Sequence, residues 1–326
     1  KLKKLKGIKG LSDLDWQRCP DEWQAPFRPL QKGAYFKWPL LTDLMPWQHS
    51  GVQCKRTWVI APDPEVLKQR WRKFLETSDP EEKAHLFKET RDRKVAPFLQ
   101  LPPDAPFPSI VRYAYRSFDR QWIVNDDRLC DYLRPCLWRI LSERQIFLTG
   151  LFSHPLGGGP PLTVTALIPD LDHFRGSYGA KAVLPLYRDL SATEPNLLPG
   201  LLELLSETYG REVTPEDFIA YLYGVLAHPV FTERFYRELE SRELRVPITK
   251  DAKLFEEARE LGAYLLWLHT YGERFVPEGE SRGHIPPGKA RCIKPVPGDP
   301  ENYPESFEYN DHTKTLRVGK GEFAPV

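Results

Sequence analysis

Thirty-two prolines are spread along 326 residues, and they constrain the fold more than any other feature of the sequence. Each fixes φ and removes a backbone donor, so helices and inner strands must be short and irregular connections many. Some prolines mark helix starts. Asp63-Pro64-Glu65 offers an N-cap, a proline in the first turn and an acid beside it, and Thr214-Pro-Glu-Asp217 repeats the signal. Others mark boundaries. The proline-rich stretch 97–108 reads as a connector and 277–304 as loop.

Between these marks the texture changes twice. Residues 15–47 are aromatic and irregular, packed onto something rather than folded alone. After Asp63, Val66, Leu67, Trp71, Phe74 and Leu75 share one helical face, leaving Lys68, Arg70, Arg72 and Lys73 on a basic back. A charged helical stretch follows over 80–94. From Ser109 the chain reads as strands: 110–118 and 121–124 as a hairpin across Asp119-Arg120, then 145–153, 162–168 and 181–187. Helices return over 197–209, from Thr214, over 230–239 and over 251–271, with a last hairpin at 307–310 and 315–318. The fold class expected is α+β, divided as 1–96, 97–196, 197–276 and 277–326.

Charge excludes one easy answer. Forty-six Lys and Arg against 45 Asp and Glu leave a net charge of +1, so a basic surface for a polyanion must be local. The lysine-rich first ten residues could be a basic arm or a solvated helix end. Five cysteines, without a pairing pattern or metal-finger spacing, fit free or buried thiols in a reducing cytoplasm. No apolar run approaches membrane-spanning length. The missing initial Met and abrupt end suggest a piece of a longer protein.

The most informative stretch is Arg112-Tyr-Ala-Tyr-Arg-Ser-Phe-Asp-Arg-Gln-Trp122. Read with period two, Tyr113 and Tyr115 face one way and Arg112, Ala114 and Arg116 the other. Guanidinium forks beside flat rings suit phosphates, guanine edges and base stacking. An amphipathic edge strand with its arginines in water is the simpler reading, as is an internal ion-pair network in which Asp119 neutralises part of Arg116 and Arg120. Ser50-Gly51 permits a tight turn that would expose Lys55 and Arg56 for phosphate contact. Asp172-His-Phe-Arg-Gly-Ser-Tyr-Gly179 reads as an exposed loop where His173 and Arg175 reach base edges or Asp172 and His173 form an ordinary hydrogen-bonded turn pair.

Catalytic constellations are missing from the pattern. There is no Walker lysine, no His-x-x-x-His pair and no Asp/Asn-Pro-Pro-aromatic tetrapeptide for methyl transfer to an amino group, and Ile168-Pro169-Asp170-Leu171 does not substitute. Asp79-Pro-Glu-Glu-Lys83 holds the letters of a metal nuclease without the strand context. His154-Pro-Leu-Gly-Gly-Gly-Pro-Pro161 lacks the lysine and helix of a phosphate loop.

Five segments together resemble the C-terminal specificity domain of type ISP restriction-modification enzymes: 41–53, 112–122, 167–176, 221–229 and 268–275. The likeness runs in order over roughly 15–320. It implies that the β-rich region at 97–196, flanked by an irregular and helical N-terminal part and a helical C-terminal part, is the recognition region. It implies double-stranded DNA as partner, together with upstream methyltransferase and helicase-like domains of the same polypeptide. A parent enzyme of this kind would use S-adenosylmethionine, ATP and Mg; this segment would hold no cofactor or metal and do no chemistry itself. The residues then expected at DNA are Lys55 and Arg56 for phosphate, Arg112, Tyr115, Arg116 and Arg120 for the central surface, and His154, His173, Arg175 and Lys181 for neighbouring loops. A domain that docks methyltransferase to motor with little DNA contact is the alternative.

Overall fold

In the computed structural model of the protein, residues 9–14, 16, 33–150, 159–174, 182–241, 243–281, 283–285, 288–296 and 306–325 are described. The chain divides into two units, Lys1–Phe275 and Val276–Val326. The chain is α+β: the first unit mixes helices with two sheets, and the described elements of the second are strands.

In the first unit the proline-marked starts become real caps. Helix α1 (Pro64–Glu76) begins at Asp63, whose carboxylate accepts from the Glu65 amide at 2.8 Å, and buries Leu67, Trp71, Phe74 and Leu75. Its back is less free than the sequence suggested: Arg70 reaches over to the carbonyls of Trp58 and Ile60 at 3.1 and 2.9 Å, anchoring the short strand β1 (Ile60–Ala61). Helix α2 (Pro80–Leu86) is capped by Asp79 and stops well before residue 94, because Phe87 turns inward against Phe74 and Lys88 takes a positive φ of 48°. Lys83 is buried with its ammonium 4.7 Å from the Phe74 ring, and burial lowers its pKa. The nuclease-like letters of 79–83 are thus spent on a cap and a core contact.

Strand β2 (Ile110–Arg116) pairs antiparallel with β3 (Asp119–Val124), and β3 with β1. The turn lies at Ser117-Phe118, two residues earlier than expected, with Phe118 at φ 60°. A register shift between Ala114 and Arg116 breaks the period-two pattern there, so Tyr113 and Ala114 are both buried while Tyr115 stays half-buried.

A second sheet has the order β5-β4-β6, from β4 (Phe147–Gly150), β5 (Leu162–Thr165) and β6 (Ala182–Pro185). Every residue in these strands is buried. Alternation explains why. Leu148, Leu162, Val164 and Leu184 enter one core with the later helices, whereas Phe147 and Val183 enter the other with Val52, α1, β2 and β3.

The later helices are α3 (Leu201–Tyr209), α4 (Pro215–Leu226), α5 (Pro229–Arg234) and α6 (Ala252–His269). Thr214 and Asp217 form the reciprocal capping box of α4. Helices α4 and α6 cross with their backbones touching: a Cβ at Gly262 would fall on the Ala220 carbonyl, and one at Gly224 on that of Ala258.

The second unit is a four-stranded antiparallel sheet of order β7-β10-β9-β8, from β7 (Arg291–Lys294), β8 (Phe307–Asn310), β9 (Thr315–Val318) and β10 (Gly321–Ala324). The expected hairpin is its β8-β9 half. Among the described residues of the whole chain, no helix is long and apolar enough to cross a membrane.

Candidate nucleic-acid interface

Beside the hairpin, the segment 168–171 runs between β2 and the turn at 51–53. The Ala114 amide donates to Ile168 O at 3.0 Å and the Asp170 amide to Ala114 O at 2.9 Å, while on the other edge the Val52 amide donates to Pro169 O at 2.9 Å and the Leu171 amide to Val52 O at 2.7 Å. Strand β2 is therefore no edge strand at Ala114. Gly51 makes the approach possible, since a Cβ there would stand 2.8 Å from the Asp170 carbonyl carbon and oxygen.

This packing carries the Asp170 carboxylate into the interior, 6% exposed. Three donors meet it: Tyr113 Oη at 2.5 Å, Arg116 Nη1 at 2.8 Å and the Asp172 amide at 2.8 Å. Burial pushes its pKa up while the hydrogen bonds from Tyr113 and Asp172 and the charge of Arg116 pull it back; burial and the same carboxylate hold the Tyr113 phenol well above its usual range. Nothing in the local sequence marks Asp170 for this role, because its partners lie 54 and 57 residues away.

The arginines of the hairpin fare differently. Arg112 is exposed and lies 4.7 Å from the centre of the Trp122 ring. Arg116 stacks 3.9 Å over Tyr115, gives Nη1 to Tyr115 O at 2.6 Å as well as to Asp170, and keeps 37% of its side chain in solvent. Arg120 turns inward: a fork onto Glu273 at 2.8 and 2.5 Å and the Tyr271 ring at 4.3 Å leave its side chain 15% exposed. Tyr271 also donates to Phe118 O at 2.6 Å, so the hairpin tip is clamped to the end of α6. Instead of a network through Asp119, two separate ion pairs hold these arginines, Arg116 with Asp170 and Arg120 with Glu273, while Asp119 accepts from Gln121.

Lys55 sits at a turn with φ 56°, its ammonium 3.3 Å from both Asp92 and Asp131, and remains part-exposed. Arg56 corrects the expectation of two exposed cations. It is 2% exposed and donates Nη2 to Arg93 O at 2.7 Å, and burial lowers its pKa. His173 is also buried rather than on an exposed loop. Its Nδ1 pairs with Thr149 Oγ1 at 2.9 Å, and burial, aided by the charge of Arg116, brings its pKa down to about 3. His154, Arg175, Lys181 and the glycines Gly157 and Gly158 lie outside the described residues.

What the geometry gathers is a cleft of about 170 Å³ between the 53–57 turn and the hairpin, lined by Gln53, Lys55, Thr57, Tyr115, Arg116 and Asp172 above Asp170. Next to Lys55 opens a hollow of about 480 Å³ whose walls include His49, Arg93, Tyr132 and Arg134. The Tyr132 ring has Lys55 at 5.1 Å and Arg134 at 4.8 Å. Gln53, Tyr132 and Arg134 were not legible as site residues: Gln53 and Tyr132 meet through an antiparallel bridge across 79 positions of sequence, and Arg134 depends on a φ of 60°. Cations lying over rings next to a groove can bind phosphate or a base edge. Among the described residues no three His, Cys, Asp or Glu side chains group closely enough to hold a metal ion.

Three solved structures share this fold. The chain aligns over 99% of its length with 34% of the chain in a DrdV–DNA complex, at 17% identity and a TM-score of 0.65. It aligns over 90% with 20% of the ATP-dependent Type ISP restriction-modification enzyme LlaBIII bound to DNA, at 13% identity and 0.60. It aligns over 99% with 26% of a nuclease-deletion mutant of the Type ISP enzyme LlaGI in complex with a DNA substrate mimic, at 13% and 0.57. The chain thus spans about a third of those proteins or less. No curated protein matches it in sequence. A family model for the Type ISP C-terminal specificity domain, however, matches residues 43–326, and the chain belongs to that family.

Proposed function

We propose that this domain recognises a double-stranded DNA target for a restriction-modification enzyme. It would hold the duplex so that other domains of the same polypeptide methylate adenine at N6 or translocate and cleave. The observation that carries the reading is the row of guanidinium and ammonium groups already laid over rings: Arg112 on Trp122, Arg116 on Tyr115, Lys55 and Arg134 on Tyr132. Such groups lose little further freedom when a phosphate or base edge arrives. Family membership and neighbours solved with DNA support it.

S-adenosylmethionine, ATP and Mg would act in other parts of the enzyme. Asp79 and Lys83, the residues with nuclease-like spacing, serve here as a helix cap and a core contact. The test is selection from a random-duplex pool at two salt concentrations. Enrichment of one short motif, with affinity falling as salt rises, is the expected result. A docking role is favoured by one observation, the exposed stripe Leu254, Leu261 and Tyr264 on α6. Absence of both enrichment and salt dependence would select that role.

A further inference from the structure

Arg116 differs from the other arginines of the hairpin in how it is held. Both of its hydrogen bonds leave from Nη1, one to Tyr115 O and one to Asp170 Oδ1, and the Tyr115 ring supports its plane at 3.9 Å. The Nε–Nη2 edge carries no bond among the described residues, and the side chain is 37% exposed beside the cleft. A guanidinium so fixed presents two parallel N–H groups in a set direction. That fork matches two acceptors side by side, which phosphate oxygens and the O6/N7 edge of guanine both offer.

The surroundings choose between them. Among the described residues, the cleft sets Lys55, Arg56 and Arg116 against Asp170 and Asp172, and the ammonium of Lys55 is already matched by Asp92 and Asp131, the latter also acting on Arg56. A phosphate entering there would meet, among the described residues, carboxylates without a surplus of positive charge. A guanine edge is neutral and meets no such penalty. Asp170 itself is buried and tied to Tyr113, so it cannot swing away to pair with solvent.

Resting on the DNA reading above, we infer that Arg116 reads a guanine of the target in the major groove, with Asp170 and Tyr115 as its positioning residues. Asp170 touches no base. It orients the fork, and Gly51 keeps Asp170 in place by letting the 51–53 turn close over it.

The experiment is random-duplex selection with the full chain and three variants: Arg116→Ala, Arg116→Lys and Asp170→Asn. Wild type should enrich a motif with one strongly preferred G. Arg116→Ala and Arg116→Lys should lose that preference, a drop of roughly 5- to 150-fold against the other bases at that position, while the rest of the motif survives. The lysine variant should keep the salt slope, because it keeps the charge but not the fork. Asp170→Asn should weaken the same G alone, a change that general loosening would not confine to one position. Thermal midpoints of the two Arg116 variants near wild type would show that the half-exposed site folds without the arginine.

The inference fails if the Arg116 variants keep the G, or if Arg116→Ala weakens all sequences equally and lowers the salt slope by about one, the mark of a phosphate contact. A wild-type chain that enriches no motif overturns the DNA reading as well, which separates the two failures.

Discussion

Acid should destabilise the first unit through His173, and the size of the effect follows from its environment. The imidazole is 2% exposed and is held by Thr149 Oγ1 at 2.9 Å; burial, with the charge of Arg116 adding to it, keeps it neutral in the fold down to a pKa of about 3. Once unfolded it returns to its ordinary 6.5. Between those values the unfolded chain binds a proton that the fold refuses. The contribution is therefore fully present above pH 6.5 and is lost as pH falls, at about 1.4 kcal/mol per unit, reaching about 2 kcal/mol by pH 5.

His269 is also pushed down by burial and adds in the same sense; Asp170, pushed up, acts in the opposite one, stabilising at low pH and losing that contribution as pH rises through its folded pKa. Comparison with His173→Gln isolates the one group. Urea unfolding from pH 7.5 to 5 should give a wild-type stability that falls more steeply than the variant's, by about 1.4 kcal/mol per unit below pH 6. Parallel pH profiles, or an imidazole that titrates near 6.5 in the native NMR spectrum, would refute the reasoning.

Three further outcomes are expected. Gly262→Ala must part α4 from α6 by more than an ångström, so despite about 1 kcal/mol gained in helix propensity it should lose roughly 3 kcal/mol, seen as a midpoint lowered by roughly 5–10 °C in thermal unfolding. In a double-mutant cycle of Arg120→Ala and Glu273→Ala, the coupling should be about 1–2 kcal/mol, above an ordinary surface pair, because the fork is mostly shielded from water. Arg112→Ala leaves its neighbours' hydrogen-bonded partners intact apart from one long bond to Arg120 O; DNA affinity should fall about evenly across sequences with a shallower salt slope and an unchanged unfolding midpoint.

Local chemistry was legible in the sequence and distant partnership was not. The caps at Asp63 and Thr214, the buried stripe of α1, the reach of α6 and the strands at 307–310 and 315–318 follow from residues a few positions apart, and the fold has them. The turn of the hairpin was misplaced because an aromatic residue, Phe118, adopts the left-handed conformation that sequence assigns to glycine or asparagine. Strands β7 and β10 went unread, one inside a stretch dense in proline and one at the end of the sequence. At the candidate site, Arg112, Tyr115 and Arg116 were singled out from the strand period and Lys55 from the Ser50-Gly51 turn. That Arg120 turns to Glu273, Arg56 to Arg93 and His173 to Thr149 depends on how β2, the 53–57 turn and α6 are brought together, which no short-range pattern encodes.

The central β5-β4-β6 sheet serves as a wall to both cores of the first unit, with alternate residues of the same strand facing each. The two halves cannot part along a seam, because the seam is the strands themselves. Amide hydrogens at Leu148 and Val183 should then exchange only when the whole unit opens, at one common rate. The hairpin side and the helical side thus share one sheet, and a displacement of those strands moves the walls of both cores together.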